Sequence, residues 1–157
     1  MLAYAQTLLG IPYRWWNPEV SCCDTTGPFW AGATGEVPLP EIQAGHLNCA
    51  GLLNVLCRKL GIAIPGAAEG HFYAGGTVSW WKFFEETGRL EPYVEGVVYP
   101  PGSVFLRPFS CPREDEGHIA IAVEDGCIVH SWPEKGVVIE APEVGYYQAV
   151  VRGFLPW

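Results

Sequence analysis

The hydrophobic pattern of the chain changes type near residue 97, and this change constrains the fold. Before it, apolar residues recur at helical spacing, as in Leu52, Leu53, Leu56 and Leu60. After it, short apolar runs separated by Pro and Gly are typical of strands. The predicted strands are about 102–107, 118–124, 127–131, 136–140 and 148–154. Helices followed by antiparallel strands predict an α+β fold, with N-terminal helices packed on one face of an antiparallel sheet.

The first part of the chain alternates predicted helices with loops. The predicted helices are residues 1–9, 49–60 and 77–88, with Thr77 or Ser79 as the cap of the last. Residues 10–46 are rich in Pro and Gly and predict a long loop, and such loops in compact domains are usually functional. A length of 157 residues fits a single domain spanning 1–157.

Charge and hydropathy exclude several classes of protein. The net charge is −8 with nine Lys plus Arg, so the chain lacks the basic stripe of a nucleic-acid binder. It has no long apolar run that predicts a transmembrane segment. The first residues lack the basic and apolar regions of a secretory signal, so we expect a cytoplasmic location or export by another route. We also expect a monomer.

The six cysteines admit two interpretations. An even number could form three disulfides, but the missing signal favours a reducing compartment. Cys57 and Cys127 lie in apolar stretches and are expected in the core. Cys22 and Cys23 are adjacent without C-x-x-C spacing, so we expect no metal site. Loop positions near the cleft are expected for the remaining histidines, His46 and His71.

Cys49, His118 and His130 are the candidate catalytic residues. Cys49 begins a predicted helix, where the helix dipole and unpaired N–H groups favour a thiolate. His118 opens one predicted strand and His130 closes the next, with Asp125-Gly126 as a hairpin turn between them. This pairing predicts a general base oriented by a second imidazole, in a cleft between the helix start and the sheet edge that carries His118. The alternative is a buried helix cysteine, an exposed strand-end histidine and a His130 that packs on Trp132.

Four segments in order resemble the NlpC-type peptidoglycan peptidases, small members of the papain-like cysteine peptidase superfamily. The first resembles the family's Gly-x-Pro-Tyr-x-Trp-Gly segment, the second its Asp-Cys-Ser-Gly segment and the third its Pro-Gly-Asp strand start, while the fourth has its histidine spacing. The segments are Leu9–Trp16, Asn48–Leu52, Pro101–Val104 and His118–His130. The resemblance implies a papain-like NlpC-type domain that hydrolyses an amide bond through a Cys-His-His triad, without a cofactor.

The resemblance also implies roles for residues around the nucleophile. The family's equivalent of Tyr13 points its hydroxyl into the site, where it could help the backbone N–H of Cys49 stabilise an oxyanion. Trp15 is a further candidate for substrate contact, although tryptophans in such positions more often pack in the core. Asn48 and Ala50 stand where the family has Asp and Ser, which help hold a free amine of the substrate. The implied substrate is a peptide or peptidoglycan stem, with its recognition altered at these two positions.

Two other functions stay open on the sequence. An acyltransferase or thioesterase-like enzyme of the same superfamily would fit the aromatic-rich entry loop and the changes at Asn48 and Ala50. A non-catalytic binding module would keep the fold without the chemistry, although the presence of all three candidate catalytic residues argues against it.

Overall fold

The computed structural model describes residues 1–14, 38–68, 74–108 and 117–157. Its helices are α1 (Leu2–Gln6), α2 (Leu39–Ala44), α3 (Cys49–Lys59) and α4 (Thr77–Glu86). Its strands are β1 (Glu91–Pro92), β2 (Val104–Arg107), β3 (His118–Ala122), β4 (Ile128–Trp132), β5 (Gly136–Glu140) and β6 (Ala149–Val151). Helices come first and an antiparallel sheet follows, which confirms the predicted α+β fold.

All six strands form one antiparallel sheet in the order β1-β6-β2-β3-β4-β5. The turn between β3 and β4 contains Asp125 (φ 59°) and Gly126 (φ 73°). Two successive left-handed residues match the twist of a hairpin, as the Asp-Gly pair predicts. Because β3 has strands on both sides, His118 lies at an end of the sheet and not along an edge strand, which corrects the expected position of the cleft.

The two faces of the sheet bury different side chains. Helix α3 packs on the face that carries Ile119, Ile121 and Val129. The other face carries an aromatic cluster, whose members include Tyr99, Phe105, Ala120, Ile128 and Tyr147. Since side chains alternate along a strand, His118 and His130 belong to the aromatic face.

The start of α3 is fixed by its own cap. The side-chain oxygen of Asn48 accepts a hydrogen bond of 2.7 Å from the backbone N–H of Gly51. This contact satisfies a donor that the first helical turn leaves unpaired, and it is worth about 1 kcal/mol. It places Cys49 at the first helical position.

Three local predictions were wrong. Helix α4 is capped by the backbone of Gly76 without a side-chain contact, because Thr77 and Ser79 already lie inside its first turn. Helix α2 lies within the predicted loop; Pro at its first turn costs no hydrogen bond and permits a helix there. Strand β1 was missed because it is two residues long and contains Pro92, which is tolerated only at an edge. Within the described ranges, no helix combines the length and the apolar character needed to span a bilayer.

Candidate active site

Cys49 lies beside the start of β3. It is 4% exposed, and its Sγ lies 3.9 Å from the carbonyl oxygen of Gly117, the residue that precedes His118. Helix α3 packs on the face of the sheet opposite to the two imidazoles. Cys49 therefore lies beside the start of β3, next to the residue before His118, and the first position of α3 places its thiol there.

His118 and His130 are hydrogen-bonded to each other. Ile121 pairs with Val129 across β3 and β4, and continuing this register makes the two histidines diagonal neighbours on one face. Nε2 of His118 lies 2.9 Å from Nδ1 of His130. This bond occupies Nε2 of His118 and leaves Nδ1 as the ring nitrogen outside the contact. The structure thus brings the two predicted histidines into contact and places Cys49 beside the residue before His118.

A carboxylate and a lysine extend this pair, and neither was singled out from the sequence. Nε2 of His130 lies 2.9 Å from Oε1 of Glu140. Nζ of Lys135 lies 2.7 Å from Oε2 and 3.0 Å from Oε1 of the same carboxylate. The available signal was the alternation in β5, which places Glu140 on the same face as Val138, the partner of His130 in the sheet.

Aromatic rings enclose His118 and change its acidity. Ring centroids of Trp132, Tyr146 and Tyr147 lie 4.9, 5.6 and 6.2 Å from its own. Burial, then the neighbouring His130 and then Arg107 lower the pKa of His118 to about 3. The imidazole is therefore neutral near pH 7, in the form that accepts a proton.

Arg107 is a cation beside the base that sequence reasoning did not single out. It pairs with His118 across β2 and β3, and its guanidinium lies 4.6 Å from the ring centre of Tyr146. The charge of Arg107 also opposes the rise that burial causes in the pKa of Tyr146. A cation at this position disfavours a second positive charge on His118, which adds to the effect of burial.

The depressed pKa of His118 predicts acid sensitivity of the fold. Below about pH 6.5 the unfolded chain binds a proton at this residue that the native state does not, down to about pH 3. One such proton lowers the free energy of unfolding by up to about 1.4 kcal/mol per pH unit. We expect this slope to be smaller in His118→Gln, measured by urea unfolding between pH 4 and pH 8. Parallel profiles for the two proteins would contradict the assignment.

The segment that precedes Tyr13 is held against the nucleophile segment. The carbonyl of Pro12 accepts a 3.0 Å hydrogen bond from the N–H of Leu47, and the N–H of Val137 donates to Ile11 at 2.9 Å. The hydroxyl of Ser131 donates to the carbonyl of Leu47 at 2.6 Å. These contacts bring the backbone beside Tyr13 close to Cys49, while the role of the Tyr13 hydroxyl at an oxyanion stays a prediction.

The other residues singled out from the sequence lie partly inside and partly outside the described ranges. His46 is exposed, and Asn48 uses its side-chain oxygen for the cap of α3. In the described ranges no three His, Cys, Asp or Glu side chains cluster as metal ligands would. Several predictions lie outside those ranges: Trp15, Cys22, Cys23 and His71.

The cysteines inside the described ranges lie in different surroundings. Burial raises the pKa of Cys57 to about 12, so this thiol is inert at neutral pH. Cys49 lies at a helix N-terminus, which stabilises negative charge on its sulfur. We expect iodoacetamide to label Cys49 faster than the other five cysteines near pH 7, as peptide mapping after a brief exposure would show. Equal or slower labelling of Cys49 would count against its role as nucleophile.

Solved structures resemble this chain, although no family profile and no curated protein sequence matches it. One is the P60 domain of the M. avium subspecies paratuberculosis antigen MAP1204. Its alignment with this chain covers 99% of this chain and 93% of that domain, with a TM-score of 0.55 and 15% sequence identity. This chain has the NlpC/p60 fold. Another is RipD from Mycobacterium tuberculosis, a non-catalytic NlpC/p60 domain protein adapted to peptidoglycan binding. It has a TM-score of 0.55 and 15% sequence identity, and the alignment covers 96% of this chain and 92% of RipD.

A third solved structure is the NlpC/p60 domain of the peptidoglycan hydrolase SagA. It covers 96% of this chain and 93% of that domain at 18% identity, with a TM-score of 0.49. The shared fold covers nearly the whole chain, and the NlpC/p60 resemblance carried by four short segments is confirmed for the fold.

Proposed function

We propose that this chain is a cysteine hydrolase that cleaves an amide bond in a peptide or a peptidoglycan stem. The observation that carries the proposal is the 2.9 Å hydrogen bond between His118 and His130 at the start of β3, beside the thiol at the first position of α3. A thiol, a neutral imidazole and a group that orients the imidazole are the parts that thiol hydrolysis requires.

The proposed reaction has two stages. In the first, Nδ1 of His118 takes the thiol proton as Cys49 Sγ attacks the carbonyl carbon, and the resulting imidazolium protonates the leaving amine as the C–N bond breaks. In the second, His118 removes a proton from water, which attacks the thioester and releases the acid and the thiol. The backbone N–H of Cys49 and the hydroxyl of Tyr13 would hold the oxyanion in both stages.

A neutral resting imidazole affects the timing of proton transfer. Because burial holds the pKa of His118 low, a stable thiolate–imidazolium pair is disfavoured before substrate binds. We infer that the thiol proton moves as the carbon–sulfur bond forms. Since no charge pair is present at rest, exclusion of water by the bound substrate has no such pair to desolvate.

A non-catalytic peptidoglycan-binding module is the second candidate, because RipD has the same fold and is a non-catalytic protein adapted to peptidoglycan binding. The hydrogen-bonded histidines beside Cys49 favour the hydrolase, since a binding module does not need a proton relay. An acyltransferase or thioesterase-like enzyme would use the same residues, and it differs in the acceptor of the acyl group.

Defined muropeptides with product analysis by mass spectrometry test the proposal. We expect cleavage of one amide bond by the wild-type chain and none by Cys49→Ala. Binding of the muropeptide without cleavage by either protein would favour the binding module. Products joined to an added amine or alcohol, in place of water, would favour an acyltransferase.

Recognition of the substrate amine is expected to be weak. The oxygen of Asn48 already accepts the hydrogen bond that caps the helix, and a neutral amide has no negative charge to pair with an ammonium group. A lost charge-assisted hydrogen bond is worth roughly 1.5–3 kcal/mol, or about ten- to a hundredfold in discrimination. We therefore expect similar kcat/KM values for one peptide with and without N-acetylation. A strong preference for the free amine would show that another acidic group binds it.

A further inference from the structure

We propose that Glu140, held by Lys135, sets the tautomers of both histidines in series, so that His118 presents an unprotonated Nδ1 to Cys49. The contacts that carry this inference are the 2.9 Å approaches of His130 to Glu140 and to His118. The catalytic consequence rests on the function proposed above, whereas the arrangement of protons does not.

The charge on Glu140 determines which ring nitrogens of the two histidines carry protons. Hydrogen bonding from Lys135 lowers the pKa of Glu140, so this group is ionised and can only accept. Nε2 of His130 must therefore carry a proton. Burial lowers the pKa of His130 and keeps its ring neutral, so Nδ1 of the same ring carries none.

The second histidine inherits this arrangement. Nδ1 of His130 is an acceptor, so the proton in the 2.9 Å bond between the rings comes from Nε2 of His118. His118 is also neutral, and its single proton is then used. Its Nδ1 keeps a lone pair, which is what a base for the Cys49 thiol needs.

The strand geometry holds the carboxylate in register. Glu140 ends β5, the strand that pairs with the His130 strand, and Lys135 lies in the turn just before β5. Lys135 and Glu140 are partly exposed, at 51% and 36%, so their ion pair contributes little stability by itself. Its effect is to fix the direction of the carboxylate.

Other charged or titratable groups lie around the hydrogen-bonded row of His118, His130 and Glu140. The charge of Arg107 on β2 lowers the pKa of His118, and the charge of Glu143 acts to raise the pKa of His130. Among the residues that the structure describes, Cys49 on α3 and two tyrosines that follow β5 are further members of this group; the tyrosines are Tyr146 and Tyr147. In the described part of the chain, Glu140 is the carboxylate in hydrogen-bond contact with either imidazole.

Loss of the Glu140 carboxylate would allow both histidines to adopt the other tautomer. In Glu140→Gln the amide can donate as well as accept, so His130 can carry its proton on Nδ1. It would then donate to Nε2 of His118, whose own proton would move to Nδ1 and block the base. The bias from a charge-assisted hydrogen bond is worth about ten- to a hundredfold in population.

Nitrogen-15 NMR of the imidazoles tests the inference without a substrate, because protonated and unprotonated ring nitrogens differ in chemical shift. In the wild type near pH 7 we expect Nε2 protonated and Nδ1 unprotonated on both His118 and His130. In Glu140→Gln we expect the Nδ1 and Nε2 shifts to move toward each other. Glu91→Gln is the matched control, since it makes the same change in an exposed ion pair with Arg152, where the distance is also 2.7 Å.

The rate of Cys49 alkylation against pH is the second measurement. We expect Glu140→Gln to lower the rate near pH 7 by about tenfold or more, and Glu91→Gln to leave it unchanged. A protonated Nδ1 on His118 in the wild type, or unchanged shifts in Glu140→Gln, would overturn the inference. Failure to find any hydrolysis would count against the proposed function alone, because neither measurement needs turnover.

Discussion

Replacing His118 with Ala is expected to lower kcat/KM by at least about a thousandfold while the chain keeps its fold, because the change removes the base and the proton donor of both stages. The imidazole lies on the aromatic face of the sheet, away from the packing of α3, so its loss leaves the main core intact. The measurement is turnover of a muropeptide that the wild type cleaves, with circular dichroism and urea unfolding to monitor the fold.

His130 provides a graded comparison with His118. A Gln at position 130 can accept a hydrogen bond from His118 with its oxygen and donate one to Glu140 with its nitrogen, which reproduces both contacts of the imidazole. Ala can do neither. We expect His130→Gln to retain clearly more activity than His130→Ala, and both to retain more than His118→Ala. Full activity in the His118→Ala and His130→Ala proteins would contradict the triad.

Signals that lie within a few neighbouring residues predicted most of this arrangement. The apolar spacing after Cys49 predicted a helix that starts at this residue, and the structure adds Asn48 as its cap, a role that was not predicted. The Asp-Gly pair fixes the turn between β3 and β4, and the strand alternation then places His118 and His130 on one face. These features depend on local backbone preferences, which the sequence states directly.

Features that depend on register and on the order of strands were not predictable in the same way. Contact between His130 and Glu140 requires that β5 pair with β4 in one particular register, and a shift by one residue would send Glu140 to the other face. Pairing of Arg107 with His118 joins strands separated by a long segment. The position of Cys49 relative to the sheet is a packing result, since α3 covers the face that the imidazoles do not occupy.

Gly136 allows β5 to pack closely against the backbone of residues 11 and 12. It begins β5 with a φ of +70°, and a Cβ there would press on the carbonyl oxygen of Ile11 and lie 3.2 Å from the Cα of Pro12. The close approach lets Val137 pair with residues 10 and 11. Since Pro12 in turn accepts a hydrogen bond from Leu47, the glycine holds the Tyr13 segment beside the nucleophile.

Gly136→Ala is therefore expected to destabilise the fold more than the same change at Gly145. Gly145 has the same φ of +70°, but a Cβ at this position would meet nothing within 4 Å, so it reports only the cost of a left-handed alanine. That cost is about 1–2 kcal/mol, and the backbone clash at Gly136 should raise the total loss to roughly 3 kcal/mol or more. Urea unfolding of both variants measures the difference in the free energy of unfolding. Equal losses would show that the 10–12 segment yields without cost, and the close approach would then not be what positions Tyr13.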